Sequence, residues 1–432
     1  PTFVTYEVQY YLQPDEKETD LQKYVAYYPQ EEGQEKKALA DTQIRVFPIT
    51  INGYEKPDSR LITVRADSST VVKFYYRKLV AGTEKTAEEQ ENDDQGLSME
   101  LQKKILEALE QGSSTNYTIE EVIYTLHKNE DGTLTIRLNG STGQEKLVIP
   151  DVIKVAGKTL TITEIAEKAF YGQGELKEVV MGSGITKIGK SAFEDCRKLK
   201  KVNIGNNVTV IEESAFKNCA ALERITISEA VLRIGSHAFE GCKKLKSLVL
   251  KEGLLQIGNK AFYKCSALKN VKIPGSVLQI GKYAFADCKK IGKFSFAQNA
   301  SLMRIGDGML QNASSLSKIK LPGRLRSIPD HTFRNAVKLE NCQIGSSVTK
   351  IGNSAFQGCK KLQRMILPGQ VQTIGKRTFY QCKKLKKVTI RTVQLRKIGK
   401  EAFKGCASKI QFAVPKGKQT VYAKLLKGKY GK

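Results

Sequence analysis

The stretch IGKSAFEDCRKLKKVNI, Ile188 to Ile204, decides the fold because close copies of it return along the chain. Three of the copies are IGSHAFEGCKKLKSLVL, IGNKAFYKCSALKNVKI and IGNSAFQGCKKLQRMIL. The cysteines of five successive copies, Cys196, Cys219, Cys242, Cys265 and Cys288, are each 23 residues apart. Neither a catalytic site nor a disulfide framework requires so regular a spacing, whereas a repeated structural unit does. A repeat array is therefore predicted to make up most of the 432 residues.

The copies align on the residue that follows Ala in the Ala-Phe pair. The aligned positions are Phe170, Phe193, Phe216, Phe239, Phe262, Phe285, Leu310, Phe333, Phe356, Phe379 and Phe403. Each copy also holds an L-x-x-V-x-I segment, in which alternate side chains such as Val202 and Ile204 point inward as in a strand. One such coil cannot bury its apolar face alone, but stacked coils share a continuous core. The sequence thus predicts a mainly β solenoid of about eleven 23-residue coils.

The nine cysteines fit this array as small buried side chains. None lies in a CxxC pair or at zinc-ligand spacing, so no metal site is expected. Ala313 and Ala336 fill the cysteine position in two copies, which indicates that the position selects for size. Cys342 falls instead at the inward strand position of its copy. We therefore expect reduced, buried thiols.

The segments before the array differ from it in pattern and charge. Residues 1–80 alternate like strands, residues 81–96 are acidic without apolar periodicity, and residues 98–111 have the spacing of an amphipathic helix. Two strand-like runs, EVIYTLH and TLTIRL, flank Lys128 to Gly132 and predict a hairpin. The predicted organisation is a β module at 1–80, a linker and helix at 81–115, a hairpin cap and first coil at 116–160, and the array with a C-terminal cap at 161–432.

The repeated residues resemble a known family. IGKSAFEDCRKLKKVNI, IGNSAFQGCKKLQRMILPG and their companions, over about residues 121–415, are similar to the BspA-type leucine-rich repeat of bacterial surface proteins. The resemblance implies a leucine-rich-repeat solenoid, displayed outside the cell, that binds proteins or glycans. The chain departs from the pattern at Gly308-Met309-Leu310 and in the two extra residues near Gln298 to Ser301.

A second resemblance concerns the first 80 residues. TYEVQYYLQPD, the Gly53-Tyr54 pair and ADSSTVVKFYYRK are similar to mucin-binding-protein-like and internalin B-repeat-like modules of Gram-positive surface proteins. This resemblance implies a small β-grasp-like domain, used as one unit in a string of domains. Because the chain begins Pro-Thr-Phe, it is interpreted as a fragment of a longer precursor.

The sequence offers no candidate active site. His127, His237 and His331 are its only histidines, and the last two directly precede the Ala-Phe or Thr-Phe pair of different coils, where solvated turn residues are expected. No HExxH, GxSxG or GxxxxGK[ST] motif occurs, and the Ile-Gly pairs recur once per coil as turn glycines. No catalytic residue, metal or cofactor is expected, and no apolar run is long enough to span a membrane.

Charge supplies the remaining functional signal. The net charge of +27 comes from a basic array, since residues 116–432 hold 57 basic and 23 acidic side chains. Lysine pairs recur after the cysteine position, and further lysines fall on the outward strand positions. Such rows either solubilise the surface or attract polyanions. The candidate ligand-binding residues are Lys200, Lys201, Lys246, Lys269, Lys272, Lys318, Lys320, Lys383, Lys384, Lys386 and Lys387.

These observations favour a non-enzymatic, extracellular binding or adhesion protein of the cell surface or wall, monomeric, with a host or neighbouring-cell protein or an anionic glycan as partner. Specific binding of nucleic acid is not expected, because arginine and exposed aromatic residues are sparse among the lysines. Two alternatives remain open: a structural wall component that adheres to anionic wall polymers, and a cytoplasmic polyanion-binding scaffold, which would suit the reduced cysteines.

Overall fold

A computed structural model describes separate strands between residues 3 and 141, and then residues 143–155 and 158–428. The predicted linker at 81–96 and the predicted helix at 98–111 lie outside the described residues. The chain divides into two compact units, Pro1–Asn92 and Asp93–Lys432. The boundaries of the four segments drawn from the sequence remain predictions.

The first unit contains a mixed sheet around a long first strand. Its strands are β1 (Phe3–Leu12), β2 (Val25–Tyr27), β3 (Glu35–Leu39), β4 (Gln43–Val46), β5 (Tyr54–Glu55), β6 (Arg60–Thr63) and β7 (Val71–Lys78). β1 pairs parallel with β7 and antiparallel with β2 and β3, so the two predicted strand regions are neighbours. Val8 and Val72 pair in this register and are both buried. The β-grasp-like topology itself stays a prediction.

An antiparallel hairpin opens the second unit. β8 (Asn116–Ile119), β9 (Val122–Lys128) and β10 (Leu134–Ser141) form a meander, and the β9–β10 pair confirms the predicted hairpin. β10 then pairs parallel with β13 (Lys158–Ile165), while β12 (Val152–Val155) lies antiparallel to β13. The hairpin thus covers the end of the solenoid with paired strands, so its first edge is not left open.

The first side of the solenoid is formed by the L-x-x-V-x-I segments. Within the described residues twelve parallel strands occupy it: β11 (Lys146–Ile149), β14 (Glu178–Met181), β16 (Lys201–Asn203), β18 (Arg224–Ile227), β20 (Ser247–Leu250), β22 (Asn270–Ile273), β24 (Lys293–Phe296), β26 (Lys318–Lys320), β28 (Asn341–Gln343), β30 (Arg364–Leu367), β32 (Lys387–Ile390) and β34 (Gln411–Ala413). β18 and β20 show the register, with Ile225 beside Leu248. Most of these strands alternate exposed and buried residues, as period-2 geometry requires.

The second side is a ladder of two-residue strands that continues from β13. Its members are β15 (Lys187–Ile188), β17 (Val210–Ile211), β19 (Arg233–Ile234), β21 (Gln256–Ile257), β23 (Gln279–Ile280), β25 (Arg304–Ile305), β27 (Ser327–Ile328), β29 (Lys350–Ile351), β31 (Thr373–Ile374) and β33 (Lys397–Ile398). On a third side, the amide of each Ala-Phe phenylalanine donates to a carbonyl one coil later, as Phe193 does to Ala215 at 2.7 Å. The three sides confirm the predicted fold of about eleven coils.

A column of phenylalanine rings runs through the core. The rings from Phe170 to Phe285 stack with centroids 5.0–5.2 Å apart and planes within 8° of parallel. Leu310 interrupts the column, which resumes at Phe333 and continues to Phe403. The ring spacing matches the spacing of neighbouring strands, so one residue type can repeat in every coil without a gap.

Two residues in nearly every coil adopt the left-handed conformation. One precedes the Ala-Phe or Thr-Phe pair, as at Ser191 and His237, and the other precedes the cysteine position, as at Asp195 and Asn218, with φ between 53° and 62°. Asn and Asp tolerate this region better than most residues, which explains their frequency before the cysteine. The spacing of the repeat predicts a turn before the Ala-Phe pair, but it does not predict the left-handed backbone there.

All nine cysteines are free, and eight of them are buried. Cys406, in the last coil, is the half-buried exception. Each cysteine of the column donates its S–H to the phenylalanine carbonyl of the preceding coil, as Cys196 does to Phe170 at 3.0 Å and Cys382 to Phe356 at 3.1 Å. The expectation that this position selects only for size therefore needs correction, because the thiol also satisfies a buried carbonyl.

The array ends on a short helix, α1 (Gln419–Leu426). Its Tyr422 is buried, donates its hydroxyl to the Thr392 carbonyl at 2.9 Å and accepts the Leu395 amide at 3.2 Å. These two backbone groups lie just before β33, so the helix satisfies polar groups of the last coil. The arrangement closes the C-terminal end of the core.

Candidate functional site

The eleven candidate lysines are all exposed and lie along the first side and its adjoining turn. Strands β16, β22, β26 and β32 carry five of them at outward positions: Lys201, Lys272, Lys318, Lys320 and Lys387. Four others directly precede a strand: Lys200, Lys246, Lys269 and Lys386. The remaining two, Lys383 and Lys384, follow Cys382 in the turn. The parallel register of the coils brings these lysines onto one surface, called here the cationic face.

In the N-terminal coils, two lysines of the cationic face have acidic partners one coil earlier, whereas Lys200 has none within the described residues. Lys201 is 3.9 Å from Glu178, and Lys246 is 3.5 Å from Glu223. Nearby, Lys198 binds Glu175 at 2.7 Å, and this hydrogen bond lowers the pKa of the Glu175 carboxyl. These exposed pairs add little stability, but they reduce the positive potential of the surface.

The C-terminal coils have few such partners, and Glu340, 3.6 Å from Lys361, is one of them. Residues 251–432 contain 38 Lys and Arg but only 6 Asp and Glu. Within the part of the chain that the structure describes, no ion pair involves the other nine candidate lysines: Lys200, Lys269, Lys272, Lys318, Lys320, Lys383, Lys384, Lys386 and Lys387. Positive charge on the cationic face is therefore concentrated from about the fifth coil onward, where few carboxylates offset it.

Sequence analysis missed several polar residues on the same face. Arg364 lies at the outward start of β30, and Asn341 and Gln343 lie at the outward positions of β28. Arg391, just after β32, is also exposed. The signal that could have identified them was the outward strand position itself, which the lysine pattern had already revealed.

An exposed apolar row lies beside the second side and was also missed. Leu232, Leu255, Leu278 and Met303 occupy one position in four successive coils and are 41–52% exposed. Their amides form a continuous ladder, each donating to the preceding carbonyl at 2.9–3.0 Å from Leu255 onward. Neighbouring coils place Thr, Arg or Gln there, so the apolar row is local. Contiguous exposed apolar side chains are typical of contact surfaces.

The histidines are less solvated than expected. His237 and His331 are both half-buried and left-handed. The His237 ring contacts the Glu240 carboxylate, whereas Nδ1 of His331 is buried without a hydrogen-bond partner. Four coils, or about 20 Å, separate the two rings, so they cannot act on one substrate. Among the described residues, no group of three His, Cys, Asp or Glu side chains could hold a metal ion.

The thiols are poor nucleophiles. Burial raises the pKa of Cys196 to about 12, and burial likewise raises the pKa of Cys219, Cys265 and Cys382. A hydrogen bond with Cys382, followed by burial, raises the pKa of Cys406. Because the thiolate is the reactive form, these cysteines are structural.

Comparison with known families identifies the repeat. The model described as "BspA type Leucine rich repeat region" matches residues 163–292 and 279–411, which together exceed half of the chain. The matched model describes a repeat region. No curated protein sequence matches the chain significantly. Within the described residues, no helix has the length and apolar character needed to cross a membrane.

Solved structures with similar folds include three bacterial leucine-rich repeat proteins. The pneumococcal vaccine antigen PcpA is 22% identical, with a TM-score of 0.47, over 74% of this chain and 97% of that chain. A leucine-rich cell surface protein from Faecalibacterium prausnitzii is 22% identical, with a TM-score of 0.41, over 73% and 98%. A leucine-rich repeat protein from Bacteroides ovatus is 26% identical, with a TM-score of 0.36, over 73% and 100%.

Proposed function

The chain belongs to the BspA-type leucine-rich repeat family, and we propose that it is a non-enzymatic binding or adhesion protein of the bacterial cell surface or wall. In this proposal the solenoid presents the cationic face to an anionic ligand outside the cell. The family supports the surface location, and the chemistry of the cationic face supports the ligand class. Neither the thiols nor the histidines are needed for this activity.

The observation that carries the proposal is the loss of acidic partners along the array. A purely solubilising coat needs no particular distribution and is best served by mixed charges. Here the N-terminal coils pair lysine with glutamate, whereas the C-terminal coils leave lysines such as Lys320 and Lys387 unpaired on an outward sheet. Unpaired like charges on one face repel each other, and an anionic ligand relieves that repulsion.

Charge reversal tests the proposal. Lys383, Lys384, Lys386 and Lys387 are changed together to Glu, and binding to heparin is measured by surface plasmon resonance. The matched control reverses four exposed lysines on or near the second side of the same half: Lys350, Lys376, Lys397 and Lys400. Both variants change the net charge equally, so a difference between them reports on location.

We expect the first variant to lose at least about tenfold in affinity, which corresponds to about 1.4 kcal/mol, and the control to lose far less. Equal losses would contradict a localised site and would leave the lysines as a solubilising surface. Binding of purified anionic wall polymer in place of host glycans would favour the structural wall component. In either favourable case the cationic face is the binding surface.

A protein ligand is the second candidate, and the apolar row favours it. Four adjacent large apolar side chains at 41–52% exposure lie beside a different sheet from the cationic face. Changing Leu255 and Leu278 to Ser would remove the centre of this row without changing charge. Loss of attachment to protein-coated surfaces, with heparin affinity unchanged, would assign adhesion to the apolar row.

A further inference from the structure

The cationic face contains a depression over strands β24, β26, β28 and β30. It consists of two adjoining hollows with volumes of about 840 Å³ and 710 Å³. Lys318, Asn341 and Gln343 line both hollows, so the two form one continuous groove across four coils. The groove is larger than a single small polar ligand needs, and its volume suits a segment of a linear polymer.

The groove coincides with an irregular part of the array. The two-residue insertion places exposed Gln298 and Asn299 after β24. One residue pair, Lys293 with Lys318, joins β24 to β26 in register, as one pair, Ser247 with Asn270, joins β20 to β22. β26 and β28 are three residues long, whereas β24 and β30 have four. The ladder of the first side ends at β28 and restarts at β30, as it also does between β16 and β18. The two-residue insertion is the departure specific to this region, and a local break in a repeat points to a functional requirement.

The lining combines cations with amides. Lys318 and Lys320 project from β26, the amides of Asn341 and Gln343 from β28, and Arg364 from β30. No side-chain hydrogen bond of the two amides occurs within the described residues. The carboxylate in the lining, Glu340, is 3.6 Å from Lys361. The groove thus offers positive charge at both ends and neutral hydrogen-bonding groups at its centre.

We propose that this groove binds a linear anionic polysaccharide that carries one carboxylate per disaccharide. Two strand steps, about 10 Å, separate the cations of β26 from Arg364 of β30, and the intervening amides suit the hydroxyl groups of an uncharged sugar. Two acidic sugars one disaccharide apart can therefore contact the cations of β26 and Arg364 of β30. This inference rests on the proposed function and assigns the ligand class for one part of the cationic face.

A nucleic acid fits the same groove less well. Duplex DNA carries a phosphate about every 3.4 Å along each strand, which is denser than the cations of the groove, because the strands are about 4.8 Å apart and β28 carries no cation into the groove. Single-stranded nucleic acid is usually held by stacking on exposed aromatic rings. The aromatic rings that line the groove are Phe294, which is buried, and Phe296, which is half-buried and packs edge-on against Phe294 at 5.5 Å.

The test separates hydroxyl recognition from charge attraction. Affinities of the full chain are measured for hyaluronan octasaccharide, which has one carboxylate per disaccharide, and for poly-glutamate with the same number of carboxylates. The variant Asn341→Ala with Gln343→Ala removes two exposed amides without changing charge. The control, Asn203→Ala with Asn270→Ala, removes two exposed amides of the same face outside the groove. Thermal unfolding verifies that both variants fold.

We expect the groove variant to bind hyaluronan about tenfold more weakly, since each lost hydrogen bond weakens binding by a few-fold, and to bind poly-glutamate as the unaltered chain does. The control variant should bind both ligands normally. An unchanged hyaluronan affinity, equal losses for both polymers, or equally tight binding of single-stranded DNA would overturn the groove assignment. If poly-glutamate binds but hyaluronan does not, this inference alone fails; if no polyanion binds, the proposed function fails as well.

Discussion

At the scale of single residues, the phenylalanine column illustrates how one side chain repeated in register stabilises the array. Phe262 is fully buried and stacks on Phe239 at 5.2 Å and on Phe285 at 5.1 Å. Its removal would leave a cavity that two rigid neighbouring coils cannot close. We therefore predict that Phe262→Ala lowers the free energy of unfolding by about 3–5 kcal/mol.

Chemical denaturation monitored by circular dichroism measures this change. Val393→Ala is the control, because Val393 is 55% exposed and its truncation should cost no more than about 0.5 kcal/mol. If Phe262→Ala lowers the free energy of unfolding by less than about 1 kcal/mol, the phenylalanine of the Ala-Phe pair does not contribute to the core as described.

The thiols make a pH-dependent contribution to stability. In the unfolded chain a cysteine loses its proton above about pH 8.5, whereas burial raises the pKa of Cys196 in the fold to about 12. Because the pKa of the thiol is higher in the fold than in the unfolded chain, the contribution of the thiol to stability is complete below pH 8.5. This contribution decreases progressively as the pH rises toward 12. Raising the pH from 7 to 10 should therefore lower the free energy of unfolding by about 2 kcal/mol through this single thiol.

Replacement by alanine isolates this effect, because Ala313 and Ala336 show that the cysteine position accepts alanine. Urea unfolding at pH 7 and at pH 10 gives the loss of unfolding free energy for each protein. This loss should be about 2 kcal/mol smaller for the Cys196→Ala variant than for the unaltered chain. Identical losses in the two proteins would show that Cys196 titrates normally in the fold.

The sequence predicted the direction of most side chains but not their finer geometry. Alternation of the strand residues places Val249 and Ile366 at outward positions, and they are 41% and 46% exposed. It could not reveal the left-handed backbone at His237 or the hydrogen bond from Cys196 to Phe170, because both depend on how one coil meets the next. The period of the sequence specifies where each residue lies in its coil. The contacts between coils determine the backbone conformation and the hydrogen bonds of that residue.

At the scale of elements, the array has a seam near its seventh coil. Leu310 interrupts the ring column, and Ala313 and Ala336 lack the thiol that binds a neighbouring carbonyl. The ladder of the second side stops at β25 and restarts at β27, and that of the first side stops at β28. Because each coil of a repeat protein is held only by its neighbours, weak contacts at one interface are not compensated elsewhere.

Hydrogen exchange should therefore be uneven along the array. We predict that backbone amides in residues 297–328 exchange faster than those in 231–280, where both ladders and the ring column are continuous. Native-state exchange with mass spectrometry gives the comparison within one molecule, and the 231–280 peptides are the internal control. Uniform protection over both segments would show that the seam does not weaken the stack.

The repeat made the coils predictable, because a 23-residue period with fixed apolar positions allows few other folds. The position of the insertion was also visible in the step into Leu310. The breaks in the two ladders were not, since they depend on whether backbones one coil apart stay within hydrogen-bonding distance. The predicted β-grasp-like module remains untested, because its short motif lacks the support of repetition.

At the scale of the whole molecule, charge is distributed along the chain. Residues 251–432 contain 38 basic and 6 acidic residues. Their net positive charge is larger in magnitude than the net charge of residues 1–250. The sequence predicted a basic array and exposed lysines, but it did not predict which of them pair. Lys246 and Lys269 occupy the same position in successive coils, but only Lys246 lies beside a glutamate, Glu223, of the preceding coil. This contact depends on the register of the folded coils.

The salt dependence of heparin affinity is the decisive measurement of whether the cationic face binds an anionic ligand through several lysines at once. If several unpaired lysines of the cationic face bind the ligand together, the logarithm of the association constant should fall linearly with the logarithm of salt concentration. We predict a slope of about −3 or steeper, since each engaged charge adds a little under one unit. Titration at four salt concentrations with the unaltered chain suffices. A flat response, with affinity unchanged between low and physiological salt, would contradict the account.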